Sequence, residues 1–388
     1  MDIFRKLFLK PVPSNDDALI QVLVRDSNGE IKYRNASSFV SGGLTNFTDT
    51  QNTTAPNVTV PVSVLTVVSA TANADASIVP KGTGAFTLSV PDNAFLGGNK
   101  RGGYAVDMQR LRQNSITEVA SGYASVIAGG TNNKATNNWS SVIGGNLNYV
   151  TGDYSVAGGG NNTVSNSYAV GLGAGNNISG FGAVGIGYYH IVSADYSSAF
   201  GERNTISAQY GSAFGGKNSI TGGDYATAFG YKASNSGVKC KVAFGASVYG
   251  VGATQSAIVT LDRRTTDATP SVLFIDSGTS TLVSSANQFT LPDNSLMRIK
   301  GSIQGKQSGS VNCAVWDFDA VLVRGVGVGT FAIVGTPSIT LITNTPAWGT
   351  PALTANTVAG CLTATVIGAA ATNVQWAMNI NSVETIYA

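Results

Sequence analysis

The chain has 388 residues, 47 of them glycine, with only 11% charged side chains and a formal net charge of +2. Ordinary globular domains carry about a quarter charged residues, so this surface must be built from Asn, Ser, Thr and Gly. With no basic run longer than Arg263-Arg264, the clustered Lys and Arg that phosphate contacts demand are missing, and no nucleic-acid partner is expected.

Cys240, Cys313 and Cys361 lie far apart without a CxxC. The odd count fits buried free thiols in a reducing cytoplasm, and neither a metal nor a cofactor is expected. The opening "MDIFRKLFLKPVP" is broken by Arg5, Lys6 and Lys10 and lacks the apolar centre of a secretory signal. No later stretch approaches the roughly 20 apolar residues of a membrane span, so neither secretion by the usual route nor membrane insertion is expected.

In chain order, residues 1–48 read as an arm: Met1 to Lys10, then a strand, an Asn28-Gly29 turn and a second strand. Residues 49–98 read as a small β module, with Pro80-Lys81-Gly82 turning between two β-patterned runs. Residues 99–121 read as a neck. Within it "AVDMQRLRQ" is the best short helical candidate, with Val106 or Met108 and Leu111 on one side.

Residues 122–250 are a repeat. Gly159, Gly173, Gly187, Gly201 and Gly215 fall 14 residues apart, and Val164, Ile178, Val192, Ile206 and Ile220 keep the same step. Asn162, Asn176, Asn204 and Asn218 form a third column, with His190 in the remaining place. A unit this short is no helix pair. It suits a β-solenoid coil of two short strands and tight turns, each coil pairing its backbone with the next. The glycine marks a corner, and the asparagine column can ladder along the stack. One coil buries little alone, so several chains should share a core, and a homotrimer is the natural solution.

Residues 251–388 leave the register. Runs such as "RIKGSIQG" and "VNCAVWDFDAVLV" predict a compact β-sandwich or jelly roll.

The strands "YAVGLG", "GAVGIG", "GSAFG" and "ATAFG" resemble the head repeats of trimeric autotransporter adhesins of the YadA type. That resemblance implies a left-handed parallel β-roll trimer. The order "IVPKGTGAFTLSVPD", "GGNKRGGYAVDMQRLR" and then Gly-rich repeats resembles bacteriophage tail fibres and tailspikes, and "VQWAMNINSVETIYA" resembles the last strands of distal fibre domains. This second resemblance implies a virion protein assembled in the host cytoplasm. Its N-terminus would dock to other tail, baseplate or adaptor proteins, and its C-terminal domain would contact a glycan or protein on the host surface.

Candidate sites are few. Gly215-Gly216-Lys217 lacks the spacing and following helix of a phosphate loop and is one copy of the repeat. His190, the only histidine, has no acid and nucleophile beside it in sequence; in a trimer it could meet its copies only if its column faced inward. Asp317 and Asp319 share one side of a strand, opposite Trp316 and Phe318. This reads as a solvated acidic face rather than a glycosidase pair. The columns Tyr154, Tyr168, Tyr196, Tyr210, Tyr225 and Phe200, Phe214, Phe229 read as packing of the roll. For a receptor, Trp348 in "NTPAWGTPAL", with Trp316 and Tyr387, supplies aromatic faces that could stack on sugars.

The expectation is an all-β, homotrimeric phage fibre acting by adhesion without enzymatic activity. A polysaccharide-degrading tailspike, a head-attached structural fibre and an autotransporter adhesin are the alternatives.

Overall fold

The computed structural model describes residues 77–275, 283, 287–345 and 347–387, together with residue 73 and four strands nearer the N-terminus. The chain divides into two units, Met1–Val79 and Pro80–Ala388. In the first unit Gln21–Arg25 pairs antiparallel with Ile31–Asn35, and Phe47–Asn52 pairs antiparallel with Val62–Val67. The expected Asn28-Gly29 turn and the Met1 to Lys10 segment lie outside the described residues.

The second unit is a parallel β-solenoid that runs into an antiparallel C-terminal body. Each full coil holds a long strand, such as Val170–Ala174, and a two-residue strand, such as Asn177–Ile178. The pairing steps by 14 residues: Val156 faces Val170, Val170 faces Val184, and Val184 faces Ser198. Backbone donors reach the next coil, as in Val156 N to Ala169 O at 3.0 Å and Val170 N to Ala183 O at 2.9 Å. A single coil cannot satisfy these groups itself, so stacking is obligatory.

The interior is narrow and filled by Ala157, Val164, Ala169, Ile178, Ala183, Val192, Ala199, Ile206, Ala213 and Ile220, all buried. The glycine column shows why no side chain fits at the corner. At Gly159, Gly173, Gly187, Gly201 and Gly215 φ lies between +104° and +136°. A Cβ there would sit 2.0–2.2 Å from the carbonyl oxygen of the glycine one coil further on.

The asparagine column lies inside, fully buried. Asn162 Nδ2 donates to Asn148 Oδ1 (2.8 Å), Gly158 O (3.0 Å) and Gly173 O (3.0 Å). Its Oδ1 accepts from the backbone N (3.1 Å) and Nδ2 (2.9 Å) of Asn176. Corner carbonyls that the strands leave over are therefore satisfied coil by coil.

The stack begins earlier than the repeat predicts. Phe86–Thr87, Val106–Asp107 and Val126–Ile127 already pair in parallel in the same sheet, after a turn closed by Gly84 N to Lys81 O at 3.1 Å. The helix expected at "AVDMQRLRQ" does not form. Among the described residues the helical elements amount to a single 3₁₀ turn, Val328–Thr330. In this segment Asp107, Gln109 and Arg112 point inward while Val106 and Met108 do not. Residues 106–110 alternate as a strand does, Arg112 turns in after them, and the inward side chains plug the coil interior. Asp107 Oδ2 accepts from Arg101 Nε (2.7 Å) and Arg112 Nη2 (3.0 Å), and Gln109 Nε2 donates to the Glu118 and Asn133 carbonyls.

At the other end Thr254–Thr265 pairs antiparallel with the last long strand, Val242–Ala246. Val374–Ile386, Ser295–Gln307, Cys313–Arg324 and Ala332–Thr345 follow across the same sheet, which reaches 16 strands. A second sheet of four strands, Ser271–Val272, Phe289–Thr290, Gly349–Asn356 and Cys361–Ile367, shares one apolar core with these strands. At the junction the buried Lys241 Nζ meets Glu384 Oε2 at 2.7 Å, with Gln255 and Ser382 completing the carboxylate's bonds.

Asn162→Ala leaves the Gly158 and Gly173 carbonyls and the Asn176 amide without their partner. We expect a loss of about 3 kcal/mol by chemical denaturation, since each unsatisfied buried group costs about 1–3 kcal/mol. An unchanged midpoint would remove the ladder from the account.

Candidate functional site

The repeat columns are architecture. His190 replaces an asparagine, and its ring reproduces the amide's bonding. Its backbone N donates to Asn176 Oδ1 at 3.0 Å. Nδ1 accepts from Asn204 N at 3.2 Å, which requires Nε2 to carry the proton and to donate to Ile186 O at 3.1 Å. Both nitrogens are engaged inside the coil, and burial lowers the pKa below 6.5. Among the described residues no group of three His, Cys, Asp or Glu side chains is placed to hold a metal.

The aromatic candidates separate by exposure. Trp316 is 1% exposed and Trp348 5%, so neither offers a face to an external ligand. Trp348 was expected to project from a Pro/Gly loop. Instead Asn344 folds that loop back: Trp348 N donates to Asn344 Oδ1 and Asn344 Nδ2 to Trp348 O, both at 2.8 Å. The indole then packs edge-on against Trp376, with centroids 5.4 Å apart. Tyr387 stands at the surface, 83% exposed. Sequence reasoning missed Tyr249, which is 89% exposed in the loop between the last coil and the first antiparallel strand.

The thiols also differ from expectation. Only Cys361 is buried, and burial pushes its pKa up to about 11. Cys240 is exposed because it occupies a left-handed corner, at φ +52°.

Asp317 and Asp319 lie on the outer side of Cys313–Arg324, with Trp316 and Phe318 buried behind. Register assembles their neighbours: Asp317 faces Ser302 and Thr340, and Asp319 faces Lys300 and Ser338. Asn379 and Asn381 lie beyond, opposite Ser302 and Lys300. Together these residues line an open groove of about 620 Å³. Asp319 is ion-paired with Arg298 Nη2 (2.6 Å) and Lys300 Nζ (3.2 Å). The Arg298 hydrogen bond, aided by Lys300, holds its pKa down at about 2. The groove presents hydroxyls, amides, one cation cluster and two carboxylates, a set suited to polyhydroxylated ligands.

Two aromatic columns run along the coils. Trp139, Tyr154, Tyr168, Tyr196, Tyr210 and Tyr225 sit at corners with φ from +52° to +60°. Where these rings stack in parallel, as in Tyr154–Tyr168 and Tyr196–Tyr210–Tyr225, each covers a face of its neighbour, and the residues stay about half exposed. The second column, Phe200, Phe214, Phe229 and Phe244, lies on the outer face of the long strands with centroids 5.2–5.5 Å apart. It continues as Ile186 and Leu172, and past Gly158, which Ile143 covers, towards the N-terminus. The result is a half-exposed apolar stripe.

No protein-family model and no curated protein matches the chain. Among solved structures it is similar to the tailspike protein gp49 of Acinetobacter baumannii bacteriophage Fri1, a capsular polysaccharide depolymerase. That match is 8% identical, covers 76% of this chain and 52% of that one, and has a TM-score of 0.20. The tailspike protein of Acinetobacter phage vB_ApiP_P1 is 11% identical over 68% of this chain and 51% of that one, with a TM-score of 0.21. The chain spans about half the length of each. Similarity at this level places no residue of the chain in correspondence with theirs. The expectation of a protein without enzymatic activity is nevertheless overturned, because the Fri1 protein is an enzyme, and that expectation is dropped.

The buried neutral His190 makes stability pH-dependent. The unfolded chain takes up a proton near pH 6.5 while the folded chain resists it. Stability is thus full above that pH and is lost as pH falls towards the lower folded value. His190→Asn should fold, remove the histidine's part of that slope, and leave the midpoint above pH 7 equal or higher; unfolding curves at several pH values read this directly.

Proposed function

We propose that the chain is a bacteriophage host-attachment protein of the tailspike kind, homotrimeric and directed at polysaccharide on the host surface. The observation that carries this reading is one sheet face with two characters. Along the coils it is apolar (Ile143, Leu172, Ile186, Phe200, Phe214, Phe229, Phe244), and past the last coil, beyond Ile258 and Val383, it turns polar at Asn381, Asn379, Asp317 and Asp319. Three stripes packed together would add a shared core to the narrow interior that each chain already buries. This is the arrangement of a YadA-type left-handed roll. The groove lies beyond the stripe on the same face, so the neighbouring copies would border it and bring three grooves close together. Weak contacts repeated three times on a stiff stack gain strongly from avidity.

In this reading the N-terminal unit docks the trimer to the tail, and the C-terminal body, a sandwich or jelly roll, is the tip that meets the glycan. A second reading, cleavage of the bound polymer, is favoured by the carboxylate pair. Two residues apart on one face of a strand, Asp317 and Asp319 have Cα atoms about 6.6 Å apart, which lets their carboxyls reach the separation that paired carboxylates need in glycoside hydrolysis. Asp319, held ionised by Arg298, suits the general base, and Asp317 is the second carboxylate beside it.

Sedimentation should give a mass near three times 39.7 kDa, and Phe214→Asp with Phe229→Asp should dissociate the trimer by setting like charges in the stripe. A stable wild-type monomer would refute the assembly. Incubation with host capsule should release oligosaccharides, and Asp317→Asn should lower the rate at least a hundredfold while binding persists. Release that is unchanged in Asp317→Asn and in Asp319→Asn would remove the groove from the chemistry.

A further inference from the structure

The corner that follows each long strand carries a column of its own: Asn132, Leu147, Asn161, Gly175, Tyr189, Arg203, Lys217 and Lys232, each with positive φ. The fold asks only for a backbone that tolerates this conformation. Five neutral residues satisfy it in the earlier coils, and three cations follow in the last ones. Stacked one coil apart, at about 4.8 Å, these cations repel one another. Glu202 lies 3.1 Å from Arg203, both half-exposed. Among the described residues no carboxylate lies within ion-pair distance of Lys217 or Lys232. Their partners are neutral: Lys217 Nζ bonds Tyr231 Oη at 2.9 Å, and Lys232 Nζ bonds Val248 O at 2.8 Å.

That last bond ties Lys232, one coil beyond Lys217, to the backbone of a loop that carries an open aromatic side chain. The loop after the final coil places Tyr249 beside a cavity of about 440 Å³, lined also by Gly250, Ala253, Thr254, Thr385, Ile386 and Tyr387. Tyr249 and Tyr387 are 89% and 83% exposed, and neither stacks on another ring among the described residues. They differ in this from the tyrosine column, whose faces cover one another. An open aromatic face beside an apolar hollow receives the C–H face of a pyranose, and adjacent ammonium groups receive a carboxylate.

We propose that this edge is a second saccharide site, one that takes an acidic glycan: sugar rings on Tyr249 and Tyr387, their carboxylates on Lys232 and Lys217. The site is separate from the groove at Asp317 and does not rest on it. The "GGKNS" lysine, which the repeat does not require, then has a role in recognition rather than in the fold.

The test uses the full chain and three acidic polymers, polygalacturonate, hyaluronan and polysialic acid, with dextran as the neutral control and duplex DNA as a non-saccharide polyanion. At least one acidic glycan should bind, more weakly as salt rises, while dextran and DNA do not. Lys217→Ala with Lys232→Ala should weaken that binding at least tenfold and flatten its salt dependence. Tyr249→Ala with Tyr387→Ala should weaken it at least tenfold with the salt slope kept. The two tyrosines are exposed and the two lysines half-buried without an ion pair among the described residues, so melting temperatures should stay within a few degrees of wild type. Binding to none of the three glycans, equal binding of dextran or DNA, or binding unchanged in either double variant would overturn the proposal. Asp317→Asn, by contrast, should leave this binding as it is.

Discussion

The hydrogen bond from one coil to the next is the constraint on which the rest of this structure depends. A coil of about 14 residues closes around little more than an alanine and a branched side chain, and its own strands cannot pair with each other. Each backbone donor must find its acceptor in the next copy. That requirement brings successive corners so close that only glycine fits at one of them. It also leaves carbonyls turned inward, where a buried amide per coil collects them.

The narrow interior of the stack gives way to buried charge near both of its ends. Asp107 between Arg101 and Arg112 fills one interior, and Lys241 with Glu384 fills the other. Buried pairs of this kind add little net stability, yet removing one partner is strongly destabilising. Their value here is to end the column without offering an apolar edge to a further coil. The outside is organised by the same period. Any residue type placed at one position of the repeat becomes a line along the stack. Aromatic lines cover their own faces, and lines of like charge remain uncompensated. Ligands therefore find free groups where a line stops: at Tyr249 and Tyr387 beside the last cations, and where the apolar stripe gives way to Asp317 and Asp319.

Much of this was legible in the residues. The step of 14 between Gly159 and Gly215, with the asparagine and Val/Ile columns beside it, identifies coils, corners and interior. Alternation in "VNCAVWDFDAVLV" correctly separates the buried Trp316 and Phe318 from the solvated acids. Where the reading went wrong, a distant contact had overruled a local pattern. "AVDMQRLRQ" has helical spacing, but the coil interior takes Asp107 and Gln109 from an alternating stretch and Arg112 after it. Trp348 stands in loop-like sequence, but Asn344 returns it to the core. Arg298, which sets the ionisation of Asp319, is 21 residues away and arrives through strand register.

By itself, then, the sequence determined what is periodic: a parallel solenoid, its corners, its ladder and its narrow core. Repetition turns each local preference into a column, and any error in one copy is outvoted by the rest. The tertiary structure alone decided what is not periodic. The plugs at both ends, the partners of Asp319, the burial of Trp348 and the open faces of Tyr249 and Tyr387 each depend on which strands meet. Strand register joins residues far apart in the chain, and no local pattern carries that information.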